Sequence, residues 1–141
     1  MKRKASAVWN GTLKEGRGTI STESGVLDGA QYSFSTRFED GKGTNPEELI
    51  GAAHAGCFSM ALSSQLTNAG TPPDSVATEA TVTLEKKEAG FTVTAVHLDV
   101  VAKVPGATQE SFETAANNAK AGCPISRLLN AEITMTARLE S

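Results

Sequence analysis

The stretch Asn45-Pro46-Glu47-Glu48-Leu49-Ile50-Gly51-Ala52-Ala53-His54-Ala55-Gly56-Cys57-Phe58-Ser59-Met60 reads as the opening of the one long helix in the chain. Asn45 is a good N-cap, Pro46 suits the first helical turn, and Glu47 and Glu48 favour the positive end of the helix. The pattern predicts a helix from about Pro46 to Ala69, stopped by Gly70-Thr71-Pro72-Pro73. Glu47, Ile50, His54 and Cys57 recur at helical offsets and form one stripe. The Ala and Gly residues between Gly51 and Gly56 leave a smooth side that another element can approach closely.

Working outward toward the N-terminus, residues 5–44 read as short strands joined by Gly-rich turns. The clearest is Tyr32 to Phe38, with Tyr32, Phe34, Thr36 and Phe38 on one face and Ser33, Ser35 and Arg37 on the other. Arg37 is thus expected to point away from the aromatic face. Toward the C-terminus, two long strands are expected at about Ser75–Lys87 and Phe91–Val104, joined by a turn at Glu88-Ala89-Gly90. Thr108 can cap a helix from about Gln109 to Ala121, which Gly122 breaks. Pro124 restarts a short helix through Leu129, with Cys123 at or near its N-cap. In the last strand, Ala131 to Glu140, Ile133, Met135, Ala137 and Leu139 alternate with polar residues. Strands, helix, hairpin, helix, strand is the order of an α+β fold with a largely antiparallel sheet. No repeat or linker divides the chain, so residues 1–141 are expected to form a single domain.

The composition is 39% hydrophobic and only 5% aromatic, enough for a thin core. Dimerisation would bury more surface and is expected. A net charge of -3 argues against a nucleic-acid binder, and the only basic cluster is Lys2, Arg3 and Lys4. No apolar run reaches the roughly 18 residues of a membrane span. The basic start lacks the apolar segment of a signal peptide, so a cytoplasmic protein is expected. Two cysteines in that compartment are more often free, catalytic or redox-sensing than a permanent bridge.

Those cysteines, Cys57 and Cys123, are far apart in sequence, each wedged among very small residues. If their sulfurs meet, the chain holds a nucleophilic thiol and a partner to close a disulfide over it; if not, they are two small buried hydrophobes. Cys57 lies about three turns from its helix N-cap, beyond the reach of the helix dipole. An isolated thiol titrates near about 8.5, and lowering that to about 5.5 requires roughly 4 kcal/mol of differential stabilisation. A catalytic Cys57 therefore needs a cation. His54 is one turn back on the same stripe, although a histidine there reads more readily as half-buried and satisfied by a backbone carbonyl. Arg37 is the other source, and Glu47 could orient it; alone, Arg37 reads as a surface residue and Glu47 as an acid favouring the helix dipole. The residues themselves leave these alternatives open. Gly122 and Pro124 make Cys123 a turn position able to move, or simply a cysteine at a helix junction. His97 reads as structural or exposed. The cysteines and histidines lack metal-ligand spacing, so no metal site is expected. No phosphate loop or serine nucleophile elbow is present.

Four segments together carry a resemblance: Thr19-Ile20-Ser21-Thr22-Glu23-Ser24-Gly25-Val26-Leu27, Thr36-Arg37-Phe38-Glu39, the run from Gly43 through Met60, and Lys120-Ala121-Gly122-Cys123-Pro124-Ile125-Ser126. With them the chain resembles the osmotically inducible protein C family, sister to the organic hydroperoxide resistance proteins. The resemblance implies sheets wrapped around a long central helix in an intertwined homodimer. It implies a thiol-dependent peroxidase acting on organic hydroperoxides and less well on hydrogen peroxide, with no cofactor. It places the reactive cysteine on Cys57, the resolving cysteine on Cys123, the activating arginine on Arg37 and the orienting glutamate on Glu47. It suggests an external dithiol reductant, such as a lipoyl-bearing protein. Gly56 stands where many relatives have Ala. Two other readings compete: a non-catalytic binding protein whose cysteines pack a ligand pocket, and a thiol hydrolase using Cys57 and His54.

Overall fold

Short polar turns between small-residue strands produce a meander at the start of the chain. The computed structural model describes residues 1–140, which fall into two compact units, Met1–Leu49 and residues 50–140. In the first, β1 (Ala5–Asn10), β2 (Arg17–Thr22) and β3 (Ala30–Tyr32) form an antiparallel sheet in sequence order. Trp9, Gly18 and Tyr32 are aligned across the three strands. The Trp9 and Tyr32 rings meet above Gly18, with centroids 5.3 Å apart. A Cβ on Gly18 would stand 2.3 Å from the Tyr32 ring, so only glycine fits beneath the pair.

The expected strand from Tyr32 to Phe38 is not formed. β3 ends at Tyr32, and Phe34–Phe38 is a short helix, α1. Ser33 caps it: its hydroxyl accepts from the Thr36 N–H at 3.3 Å, and Thr36 Oγ1 accepts from the Ser33 N–H at 2.7 Å. Phe34 and Phe38 stack at 4.9 Å on one face. An offset of four puts two aromatics on the same face of either a helix or a strand, so the aromatic spacing alone did not distinguish them. The capping box decides. Arg37 is also not segregated from the aromatics: its guanidinium lies 5.3 Å from the Phe38 ring centre.

Helix α2 spans Pro46–Asn68 as the sequence indicated. Asn45 caps it, its Oδ1 accepting from the Glu48 N–H at 2.7 Å, while its Nδ2 donates to the Thr36 carbonyl at 3.0 Å. One side chain thus closes α2 and ties its start to α1.

In the second unit, β4 (Ser75–Lys87) and β5 (Gly90–Lys103) form the expected long hairpin, with a register shift at Thr83/Leu84. β6 (Glu132–Glu140) lies on the other side of β5 and runs parallel to it. Helix α3 (Gln109–Gly122) joins the central strand to that edge, with Thr108 and Ser111 forming its capping box. Gly122 does not break α3 by a left-handed turn; it is the last helical residue, and Cys123 follows as the C-cap. Helix α4 (Pro124–Leu128) starts at once behind it. Phe58, Leu62 and Leu66 of α2, the alternating Val96, Leu98, Val100 and Ala102 of β5, and Phe112, Ala116 and Ala119 of α3 build one core. Each large side chain buried there contributes about 1.5–3 kcal/mol. α2 approaches β4 closely at Gly51, where a Cβ would sit 3.4 Å from the Ala80 carbonyl. No helix among the described residues is long and apolar enough to cross a membrane.

Candidate active site

The two cysteines meet. Cys57 reaches the core's edge from the middle of α2, and Cys123 is fully buried at the junction of α3 and α4. Their Sγ atoms are 2.8 Å apart, with Cys123 donating, and both thiols are free. A disulfide of about 2.05 Å needs only a short further approach. The local sequence explains the encounter: the C-cap of α3 and the N-cap of α4 coincide at Cys123, so both helices fix its backbone.

Within this unit the environment opposes ionisation of Cys57. Burial is the main cause pushing its thiol up, and the Cys123 hydrogen bond adds to it; a hydrogen bond from the Ile125 backbone pulls the other way. His54 supplies no compensating charge. It is completely buried, and that desolvation lowers its pKa, so it is neutral at neutral pH. Its Nε2 pairs not with a backbone carbonyl, as its sequence setting suggested, but with Ser126 Oγ at 2.7 Å. Its Nδ1 has no partner among the described residues.

The first unit holds the other two expected site residues, and it pairs them. Arg37 donates from Nε and Nη2 to Glu47 Oε1 at 2.9 and 2.8 Å. The helical turn of α1 and the first turn of α2 bring them together. Both bonds fall on one oxygen; the buried Oε2 has no partner among the described residues. Arg37 also lines an apolar pocket of about 230 Å³ with Trp9, Leu13, Tyr32, Phe34 and Phe38. Glu47 thus pairs with Arg37 as well as standing in the first turn of α2.

His97 is occupied structurally, Nδ1 with Thr134 Oγ1 at 2.6 Å and Nε2 with Thr136 Oγ1 at 3.2 Å, with the Asp99 carboxylate 3.5 Å away. Among the described residues no three His, Cys, Asp or Glu side chains cluster as metal ligands. Ser126 and the Ile125 amide were not singled out from sequence. A signal was present: Ser126 follows Cys123 by three residues, as Cys57 follows His54.

Fold and thiol pair define an α+β protein built around a closable dithiol. The family model described as OsmC-like protein matches residues 39–138, and the chain belongs to that family. It is 54% identical over 139 residues to peroxiredoxin OsmC of Escherichia coli (strain K12), covering 99% of this chain and 97% of the relative. It is 30% identical over 132 residues to the organic hydroperoxide resistance protein OhrB of Bacillus subtilis (strain 168), covering 92% and 94%. The crystal structure of the Bacillus subtilis OhrB aligns with a TM-score of 0.68 at 25% identity, over 97% of this chain and 98% of that one. An OsmC-like protein from Mycoplasma pneumoniae aligns with a TM-score of 0.77 over 100% and 99%, and at 14% identity it speaks for the fold alone.

Proposed function

We propose that the chain is a cysteine-based peroxidase that reduces organic hydroperoxides, and hydrogen peroxide less well, by way of Cys57 and Cys123. The observation that carries this reading is the 2.8 Å approach of two free sulfurs 66 residues apart in sequence. The likeness to a named peroxiredoxin and to a named hydroperoxide resistance protein supports it.

The Cys57 thiolate attacks the terminal peroxide oxygen. The O–O bond breaks, the alcohol leaves after taking a proton, and Cys57 becomes a sulfenic acid. The Cys123 thiol then attacks that sulfur, forming the S–S bond and releasing water. An external dithiol, such as a lipoyl-bearing protein, returns both cysteines to thiols and is itself oxidised to a disulfide. Because its own surroundings raise the Cys57 pKa, the first step needs a cation from elsewhere in the molecule. Arg37 fills that role. It is always charged, Glu47 holds it, and its remaining N–H groups can meet the thiolate and the charge developing on the leaving oxygen. The active molecule is a homodimer working in the cytoplasm.

Mass analysis after one equivalent of an organic hydroperoxide tests this. The expected product is an internal disulfide joining residues 57 and 123. Both thiols surviving intact would instead indicate a binding protein. Cys57→Ser should abolish turnover and Cys123→Ser should stop recycling. A thiol hydrolase using Cys57 and His54 would survive Cys123→Ser. The His54 Nε2 atom is engaged with Ser126 rather than with Cys57, which does not favour that reading.

A further inference from the structure

Two contacts join α2 to the α3–α4 junction, and they are built to the same measure. Cys57 meets Cys123 at 2.8 Å, and His54 meets Ser126 at 2.7 Å. His54 precedes Cys57 by three residues, and Ser126 follows Cys123 by three. Each pair therefore spans about one helical turn, and the rungs run antiparallel. The Ile125 backbone hydrogen bond to Cys57 lies between them. His54 is fully buried, whereas α4 is a five-residue helix with no buried residue of its own and no side-chain cap bond at Cys123. A piece that short has little internal stability. Burying a histidine costs free energy unless its polar atoms are engaged, and Ser126 engages one of the two.

We propose that His54 and Ser126 are positioning residues for the resolving step: their hydrogen bond holds α4 against α2 and keeps the Cys123 sulfur within reach of oxidised Cys57. This rests on the peroxidase reading above. The step served is condensation of the Cys57 sulfenic acid with the Cys123 thiol, which forms one S–S bond, breaks the S–O bond and releases water. Oxidation has already been supplied by the hydroperoxide, so no further oxidant is required. The first oxidation does not use this rung. A polar, hydrogen-bonding histidine in a core position that an apolar residue could fill fits a directional role better than a space-filling one.

The test is single-turnover oxidation of the full-length protein by cumene hydroperoxide. Sulfenic acid is trapped with dimedone, and the disulfide is followed by mass over time. Ser126→Ala removes only the hydroxyl, and a thermal melt verifies its folding. Closure should slow by about three- to tenfold, the size of one hydrogen bond, with more dimedone adduct and an unchanged rate of the first oxidation. Ser126→Thr, which keeps a hydroxyl, should restore closure, as should His54→Gln, which presents an amide near the position of Nε2. Combining Ser126→Ala with His54→Ala should slow closure no more than the worse single variant. Closure at the wild-type rate in Ser126→Ala, or slowing of both steps alike, overturns the proposal alone. A wild-type protein that consumes hydroperoxide without forming the 57–123 disulfide overturns the peroxidase reading, and the positioning role with it.

Discussion

Burial and a neighbouring thiol both push Cys57 toward its protonated form, and the proposed peroxidase calls on Arg37 to offset them. Arg37→Ala should raise the Cys57 pKa by at least about one unit, cutting the thiolate fraction at neutral pH about tenfold for each unit. Ultraviolet thiolate absorbance followed against pH checks this, and an unchanged titration removes the arginine from the mechanism. Peroxidase activity of the variant should recover only in part as pH rises, because the thiolate returns but the donor to the leaving oxygen does not. His54 makes a second prediction, concerning stability. Its folded pKa lies below its unfolded value of about 6.5, so the unfolded chain takes up the proton first as pH falls. The stability conferred by neutral His54 is thus complete above about pH 6.5. It declines below that by up to about 1.4 kcal/mol per unit until the folded pKa is reached. Urea unfolding between neutral and mildly acidic pH should show this slope, and His54→Gln should flatten it; equal slopes would place the titration elsewhere. The sequence could state that Cys57 needs a cation because that follows from its depth in a helix. It could not state that His54 is neutral, since this depends on burial by side chains far away in the chain. Nor could it pair His54 with Ser126, a contact across 72 residues.

At the level of elements, the helices and the long hairpin were legible because each carries its own signals: Asn45 with Pro46, Thr108, Pro124, and the alternation of β5. The segment from Ser33 to Phe38 was misread because its aromatic spacing fits both periods, and a local capping hydrogen bond decided between them. The parallel pairing of β6 with β5 was not legible either. Alternation reveals which residues face the core but not which neighbour a strand chooses or its direction. Helix α2 offers a direct test of a small feature. Gly56 is exposed in mid-helix, and a Cβ there would meet nothing within 4 Å, in contrast to Gly51 against β4. In the isolated chain Gly56→Ala should stabilise by about 0.5–1 kcal/mol, because alanine loses less backbone freedom in a helix; Met60 lies one turn further on the same face, so a partner copy packed there offsets that gain. Chemical denaturation measures it. A loss of stability instead would mean that the smooth side of α2 is packed against something outside this chain.

For the molecule as a whole, the distribution of its core is the feature a single chain does not account for. Among the described residues, every buried hydrophobic side chain falls in the stretch from Phe58 to Cys123. The first unit, Met1–Leu49, has none, and only Gly18 and Thr36 are buried in it. A three-stranded sheet of that kind has too little apolar burial to offset the entropy of ordering it. Its Val8, Leu13 and Val26 are exposed, and so are Met60 on α2 and Leu128 on α4. Helix α2 carries apolar side chains around its whole circumference, as helices do when covered on all sides. A second copy of the chain is the occupant that would supply the missing cover, consistent with the homodimer proposed above. Light scattering should then give a mass near twice the 14.7 kDa of the chain, with a melting temperature that rises with protein concentration. Met60→Glu would place a charge where a hydrophobic contact is expected. It should lower the melting temperature and shift the mass toward one chain, while a change at the edge of β1, such as Ser6→Glu, should do less. A wild-type protein that is monomeric at micromolar concentration and melts at one temperature across dilution would show that the first unit is held in some other way, and that each thiol pair works alone.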